Sequence, residues 1–208
     1  MNTEPSIPLA EFLRPKNIED IIGQEHILGD GQSLKVSITS GNLPSMILWG
    51  PPGVGKTTIA RVIANSTDVQ FISISAVLSG VKEIRESVEK AKFSLEQQNK
   101  KTILFIDEVH RFNKSQQDAF LPHIESGLIT FIGATTENPS FEVNTALLSR
   151  CQIYVLKILS LDELNTIIDK VINKFDKIKI DNKAKDIILE YANGDARRLI
   201  NLLEMLIN

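Results

Sequence analysis

The sequence predicts an α/β protein, with a parallel sheet covered by helices on both faces and a small all-helical unit after it. Three observations predict this. From Ser45 onward, apolar runs of strand length alternate with stretches of helical periodicity. A glycine-rich turn joins the first of those runs directly to a helix. After Leu159 the strand pattern does not return, while three helical stretches follow. Strands separated by helices at such intervals require crossover connections, and crossovers bury both faces of a parallel sheet. The division is expected near residue 158, giving an α/β unit over 1–158 and a helical unit over 159–208.

Residues 1–44 are loop-rich, with Pro5, Pro8, Pro15 and Pro44 punctuating short helical pieces. Met46–Trp49 is a short apolar strand, and Thr57–Ala64 reads as the helix after the turn. Phe71–Ser75 alternates apolar and hydroxyl side chains, as a strand does. Val81, Ile84, Val88, Ala91 and Leu95 recur at helical spacing and mark a long amphipathic helix. Thr102–Ile106 is a continuous apolar strand, Ser115–Ser126 a helix, Leu128–Gly133 a strand, and Ile153–Leu156 the last strand. Ser160 with Glu163 fits a capping box that opens a helix through Leu164, Ile167, Ile168 and Val171. Asp181 caps a second helix carrying Ile187, Ile188 and Leu189. Gly194 breaks it, and Asp195 caps a third that runs to the C-terminus. The chain stops there without a polar tail, as expected of a longer protein cut short.

The 208 residues are 42% hydrophobic and 24% charged, with a net charge of −3, so an ordinary globular protein is expected. No run of about eighteen apolar residues marks a membrane span. The acidic, proline-containing N-terminus has neither the basic nor the apolar part of a secretory signal. Cys151 is the only cysteine, which excludes an internal disulfide and points to the reducing cytosol. A self-sufficient DNA-binding domain carries a basic footprint, and this chain has only scattered basic residues: Lys100 and Lys101, Arg111 and Lys114, and a looser series from Lys170 to Lys185. DNA contact therefore requires a local patch, for which Arg111 and Lys114 are the candidates, or several subunits together.

Gly50, Pro51, Pro52, Gly53, Val54, Gly55, Lys56 and Thr57 satisfy the pattern GxxxxGK[ST] between a strand and a helix, the context it requires. Glycines let the backbone wrap closely, so that successive N–H groups face phosphate oxygens, and the following helix adds its positive end. Lys56 is placed to reach the β- and γ-phosphates of ATP, and the Thr57 hydroxyl to ligate Mg²⁺. Thr58 completes the loop's nucleotide contacts. A second apolar strand delivers Asp107 and Glu108 at its C-terminal end, where open α/β sheets bind ligands. Asp107 is expected to hold Mg²⁺ and Glu108 to polarise the attacking water.

Further motifs resemble the AAA+ ATPases, P-loop proteins with a helical lid. Gly133-Ala-Thr-Thr136 is similar to their sensor 1 element, which implies that Thr135 or Thr136, with Thr136 preferred, meets the γ-phosphate or the water. Leu148-Ser-Arg-Cys151 resembles the clamp-loader form of the arginine finger, implying that Arg150 serves a neighbouring subunit's ATP. Gly194-Asp-Ala-Arg-Arg198 resembles sensor 2, implying that Arg197 faces the γ-phosphate in cis. Leu13-Arg-Pro15 and Ile21-Ile-Gly-Gln24, with Ile22 central, are similar to the adenine-side segment of that clade. Pro8-Leu-Ala, Ser79-Gly-Val-Lys-Glu-Ile-Arg85, the run HRFNKSQQD from His110 and ATTENPSF from Ala134 resemble one family more specifically. It is the replication-associated recombination protein A family, also called MgsA, with its Werner-helicase-interacting relatives.

That resemblance implies a DNA-stimulated ATPase at stalled forks and single-strand/double-strand junctions, in the cytoplasm and associated with the nucleoid. It also implies a homotetramer built by a C-terminal segment beyond this chain, and single-strand-binding or other replisome proteins as partners. A Holliday-junction branch-migration motor, a clamp-loader subunit and a non-hydrolysing nucleotide-dependent adaptor are the competing readings. Among other polar residues, His110 reads either as a relay from the acid pair towards Arg111 and Lys114 or as a structural histidine. Cys151 reads as a small buried residue and Trp49 as core. Three histidines without ligand spacing give no transition-metal site.

Overall fold

The computed structural model describes residues 7–175 and 180–207. Pro5, Lys177, Lys179 and the terminal Asn208, which entered the sequence reading, lie outside these residues. Five strands, β1 (Met46–Trp49), β2 (Gln70–Ser75), β3 (Thr102–Asp107), β4 (Ile129–Thr135) and β5 (Gln152–Val155), form one sheet in the order β2-β3-β4-β1-β5. Every neighbouring pair is parallel, so all five C-terminal ends lie along one edge.

Side chains alternate across the sheet, and each set finds a helical layer. Met46, Leu48, Ile103, Phe105, Ile132 and Ala134 pack with Ile59 and Ile63 of the helix Lys56–Ser66 and with Leu34 and Ile38 of Ser33–Thr39. Ile47, Leu104, Ile106, Ile129 and Phe131 face the other way, against Ile84 and Ala91 of Val81–Gln98 and against Phe120. The rings of Phe120 and Phe131 lie 5.3 Å apart, tilted by 47°. The expected doubly covered parallel sheet is therefore present.

Three local expectations differ from what is found. The single helix expected over Ser115–Ser126 is two short ones, Lys114–Asp118 and Leu121–Glu125. Pro122 has no N–H to give the Asp118 carbonyl, so the ladder breaks there and restarts. The buried stripe of Val81–Gln98 runs through Ile84, Ser87, Val88, Ala91 and Ser94, while Val81 and Leu95 stay exposed. Ser87 tolerates burial because its hydroxyl donates to the Glu83 carbonyl four residues back, at 2.8 Å. Ile187, expected on the apolar face of its helix, is 67% exposed, and Ile188 and Leu189 fill the core in its place.

The helical unit comprises Leu161–Lys174, Asn182–Ala192 and Ala196–Ile207. Ser160 and Glu163 form the expected capping box, and the Asp181 carboxylate accepts from the Ala184 N–H. Its core of Leu164, Ile168, Val171, Leu199 and Leu203 also takes in Leu9, with Leu13 and Ile22 packed against it. The Leu9 N–H donates to Glu204 Oε1 at 2.7 Å. Leu9, Leu13 and Ile22, assigned from sequence to the α/β unit, thus pack in the helical one, while Ile18 and Ile21 between them pack against the α/β core.

Candidate nucleotide site

Three adjacent strands deliver the polar groups. Gly50 follows β1, Asp107 ends β3 and Thr135 ends β4, so the parallel register sets their spacing. The Gly50 N–H donates to the Thr135 carbonyl at 3.2 Å, continuing the β1–β4 ladder by one residue. Beyond it the chain curls through Gly53 (φ +72°) and Gly55 (φ +101°) before the helix Lys56–Ser66 begins.

Gly53 is pressed against the helical unit. A Cβ there would lie 1.7 Å from Asp195 Oδ1, and the Gly53 carbonyl accepts from the Ala196 N–H at 3.2 Å. Asp195 Oδ1 itself accepts from the N–H groups of Arg197 and Arg198 at 2.8 and 3.0 Å, capping the last helix as expected. The glycine loop and the lid therefore meet backbone to backbone.

A crevice opens between these parts. Pro52, Gly53, Val54, Gly55, Lys56, Thr57 and Thr58 form its floor, with Asp107 and Glu108 at one end. Leu13, Pro15, Ile21 and Ile22 form one apolar wall, and Leu159, Ile167, Ile200 and Arg197 come from the lid. Lys56 is buried, and its Nζ donates to the carbonyls of Gly50 and Pro51 at 2.6 and 2.8 Å. Burial lowers the Lys56 pKa from the ordinary lysine value, against the opposing pull of Glu108 and Asp107. Burial, and then the charge of Glu108, raise the Asp107 pKa above the usual carboxylate range.

Glu108 takes a left-handed backbone (φ 54°), rare outside glycine and asparagine, at the turn out of β3. Its Oε2 lies 3.4 Å from Thr136 Oγ1 and 3.3 Å from His110 Nδ1. Thr135 is fully buried and engaged by His110 and by the Glu137 backbone. Of the two candidate threonines, Thr136 is thus the one that touches the acid.

Four of the expected site residues do not line the crevice. The Gly50 and Pro51 carbonyls are covered by the Lys56 ammonium, and Thr136 stands behind Glu108. Arg150 is on the outside, where its Nε and Nη2 donate to Glu125 Oε1 and its Nη1 donates to the Ala146 carbonyl. Arg111 and Lys114 are both exposed. Among lining residues that the sequence reading missed is Lys170, whose Nζ donates to the Asp20 carbonyl at 3.2 Å. It belongs to a helix with no local motif, so only the folded chain brings it to the site.

Residues 46–159 match the protein family described as "ATPase family associated with various cellular activities (AAA)". The chain belongs to that family, with a P-loop sheet followed by a helical lid. Within it, the chain is 53% identical over 205 residues to replication-associated recombination protein A of Escherichia coli (strain K12), covering 96% of this chain and 46% of that protein. The Haemophilus influenzae protein of the same name is 49% identical over 207 residues, 97% of this chain and 46% of the relative. ATPase WRNIP1 of Dictyostelium discoideum is 48% identical over 205 residues, 96% and 23% of the respective chains. These relatives bear out the family read from HRFNKSQQD and ATTENPSF. Among solved structures, the RuvB Holliday junction branch migration motor of Thermotoga maritima matches with a TM-score of 0.76 and 32% identity, over 92% of this chain and 64% of that one. The chain spans just under half the length of the bacterial relatives named here.

Proposed function

We propose that the crevice binds ATP with Mg²⁺ and that the chain hydrolyses it to ADP and phosphate, as the motor part of a DNA-maintenance protein. The observation that carries this reading is the convergence of Lys56, Thr57, Asp107 and Glu108 on one crevice, with Arg197 closing it from the lid. Thr57 and Asp107 offer a hydroxyl and a carboxylate, hard oxygen donors suited to Mg²⁺, and the burial of Asp107 beside Glu108 favours a counter-charge there. The metal supplies neutralisation of phosphate charge when bound.

The protein's own groups do the rest. Lys56 exchanges the Gly50 and Pro51 carbonyls for phosphate oxygens, a point charge moving from dipoles to anions. Glu108 accepts a proton from water as its oxygen bonds to the γ-phosphorus, while the bridging O–P bond breaks and ADP leaves with the electron pair. Thr136 orients Glu108 and the water, and Arg197 meets the developing charge in cis. Ile22 and its neighbours pack on the base. Arg150 acts in trans, in an oligomer that the full-length protein, expected to be a tetramer, assembles.

DNA enters this reading from the relatives' names and from the exposed pair Arg111 and Lys114, which follow the acid pair directly. Fork and gapped structures are the expected substrates, with single-strand-binding or other replisome proteins as partners in the cytoplasm. Among the described residues, no helix is long and apolar enough to cross a membrane. The test is ATP turnover of the full-length protein with no DNA, with duplex and with single-strand-gapped duplex. Stimulation by the gapped form is expected, with Glu108→Gln suppressing turnover to a small residual rate in all three. Equal turnover in all three conditions overturns the DNA assignment. The likeness to RuvB supports branch migration as a second reading, and ATP-driven movement of a four-way junction by the full-length protein would favour it.

A further inference from the structure

His110 lies in the short turn Val109–Arg111 that follows Glu108, and its side chain is only 8% exposed. Its Nδ1 is 2.9 Å from Thr135 Oγ1 and 3.3 Å from Glu108 Oε2. Which of these atoms carries hydrogen follows from counting. The Thr135 hydroxyl has one proton, and the Glu137 carbonyl lies 3.3 Å away to take it. The same hydroxyl accepts from the Glu137 N–H at 3.0 Å, which leaves it a single lone pair. An ionised Glu108 carboxylate only accepts, so a bare Nδ1 facing it would set lone pair against lone pair. Both neighbours therefore favour a donor, and the imidazole holds its one hydrogen on Nδ1, hydrogen-bonded to Thr135 Oγ1 with Glu108 Oε2 as a longer charge contact.

We infer that His110 is a positioning residue for Glu108: its Nδ1–H, hydrogen-bonded to Thr135, stands 3.3 Å from Oε2 and attracts it electrostatically, so that Oε1 is left to take the proton from water. The inference rests on the ATPase reading, in which Glu108 is the base. Thr136 Oγ1 approaches the same Oε2 at 3.4 Å, so both donors act on one oxygen and leave its partner unhindered. The arrangement has a reason in the backbone. Glu108 occupies a left-handed conformation, and no helix or strand ladder fixes the side chain that leaves it. Thr135 ends the neighbouring strand and is anchored by the Glu137 backbone, so His110 ties the acid to the sheet. A carboxylate free to rotate would spend part of its time with neither oxygen directed at the water. A misplacement of about 1 Å in such a group can cost about 100-fold in rate.

The test compares His110→Phe, His110→Asn and His110→Gln in full-length protein, by steady-state ATP turnover and nucleotide titration. Phe fills the space without a donor. Asn carries its N–H at the same bond distance from the backbone as Nδ1, and Gln carries one at the distance of Nε2. His110→Phe should lower kcat by about 10- to 100-fold with KM and nucleotide affinity unchanged. Asn should recover most of that loss and Gln little of it. In a Glu108→Gln background, His110→Phe should lower the residual rate no further, since residues acting as one unit are not additive. The inference is overturned if Asn and Gln are equally impaired, if Phe turns over normally, if the loss appears in KM alone, or if it multiplies with that of Glu108→Gln. Should the Phe variant fail to fold, the Asn and Gln pair decides alone. Wild-type turnover by Glu108→Gln itself would remove the base, and the inference with it.

Discussion

Gly53→Ala tests how tightly the nucleotide loop and the lid are joined. Gly53 has φ +72°, where alanine is disfavoured by roughly 1–2 kcal/mol. The added Cβ also meets Asp195, 1.7 Å from Oδ1 and 2.2 Å from Cγ, so the carboxylate must leave. With it goes the cap on the Arg197 and Arg198 N–H groups, worth roughly 0.5–2 kcal/mol. Together these terms come to about 1.5–4 kcal/mol, which falls on lid docking because the Ala196 N–H to Gly53 carbonyl bond is at the same spot. If all of it is expressed in ligand affinity, binding weakens about 10- to 700-fold. Calorimetric titration with a non-hydrolysable ATP analogue reads that number directly, and thermal melting reads the part borne by the fold. Asp195→Ala alone loses the cap without the clash, so the double variant should lose less than the sum of the two single ones. Affinity within twofold of wild type and an unchanged Tm for Gly53→Ala would refute the reasoning. Strict additivity in the double variant would refute the assigned contact.

Four further outcomes follow from the site. Lys56→Ala should reduce nucleotide binding below detection in the same titration, and unchanged affinity would sink the assignment of the crevice. Asp107→Asn should raise Tm near pH 7.5 while abolishing Mg²⁺-dependent turnover. The Asp107 pKa is raised in the folded chain, so the folded state holds that proton more tightly than the unfolded state does, and the ionised form subtracts from stability as pH rises through the folded value. The gain should therefore shrink in melts at acidic pH, and a lower Tm at pH 7.5 would contradict it. Burial pushes the Cys151 thiol up to about 12, so alkylation at pH 8 should be slow in the native protein and fast in denaturant; equal rates would show an accessible thiolate. In full-length protein, Arg150→Ala should lower turnover far more than affinity, and mixing it with Lys56→Ala subunits should restore part of the activity. No recovery despite proven co-assembly would mean that Arg150 does not act on a neighbour.

What could be read in advance was what is local. The glycine loop, the acid pair and the capping residues Ser160, Asp181 and Asp195 each state their geometry within a few positions, and the folded chain places them accordingly. Apolar runs of strand length marked the strands, because central strands buried on both faces, such as Thr102–Asp107, are apolar almost throughout. Periodicity failed where a polar side chain could satisfy itself: buried Ser87 bonds its own helix and so passes for an exposed residue. Pro122 lies inside the stretch expected as one helix, Ser115–Ser126, and divides it in two. The contact of Gly53 with Asp195, and the tie from His110 to Thr135, join residues distant in the chain and belong to no pattern of spacing. Leu9 was misassigned for the same reason, since its burial partners Leu199 and Leu203 stand almost a chain length away.

That last pairing has a consequence for the order in which the molecule is made. A ribosome releases Leu9 well before the helix Ala196–Ile207, yet the two share one core and the bond from the Leu9 N–H to Glu204. The sheet can close once β5 has emerged, because none of its pairings waits for a later residue. The N-terminal strap must meanwhile stay unpaired, its leucines without their partners, until the helix Ala196–Ile207 arrives. One wall of the nucleotide crevice is built from that strap, so the nascent chain acquires its P-loop well before it has a complete crevice. Emergence of that helix and competence to enclose a nucleotide are in this way a single event.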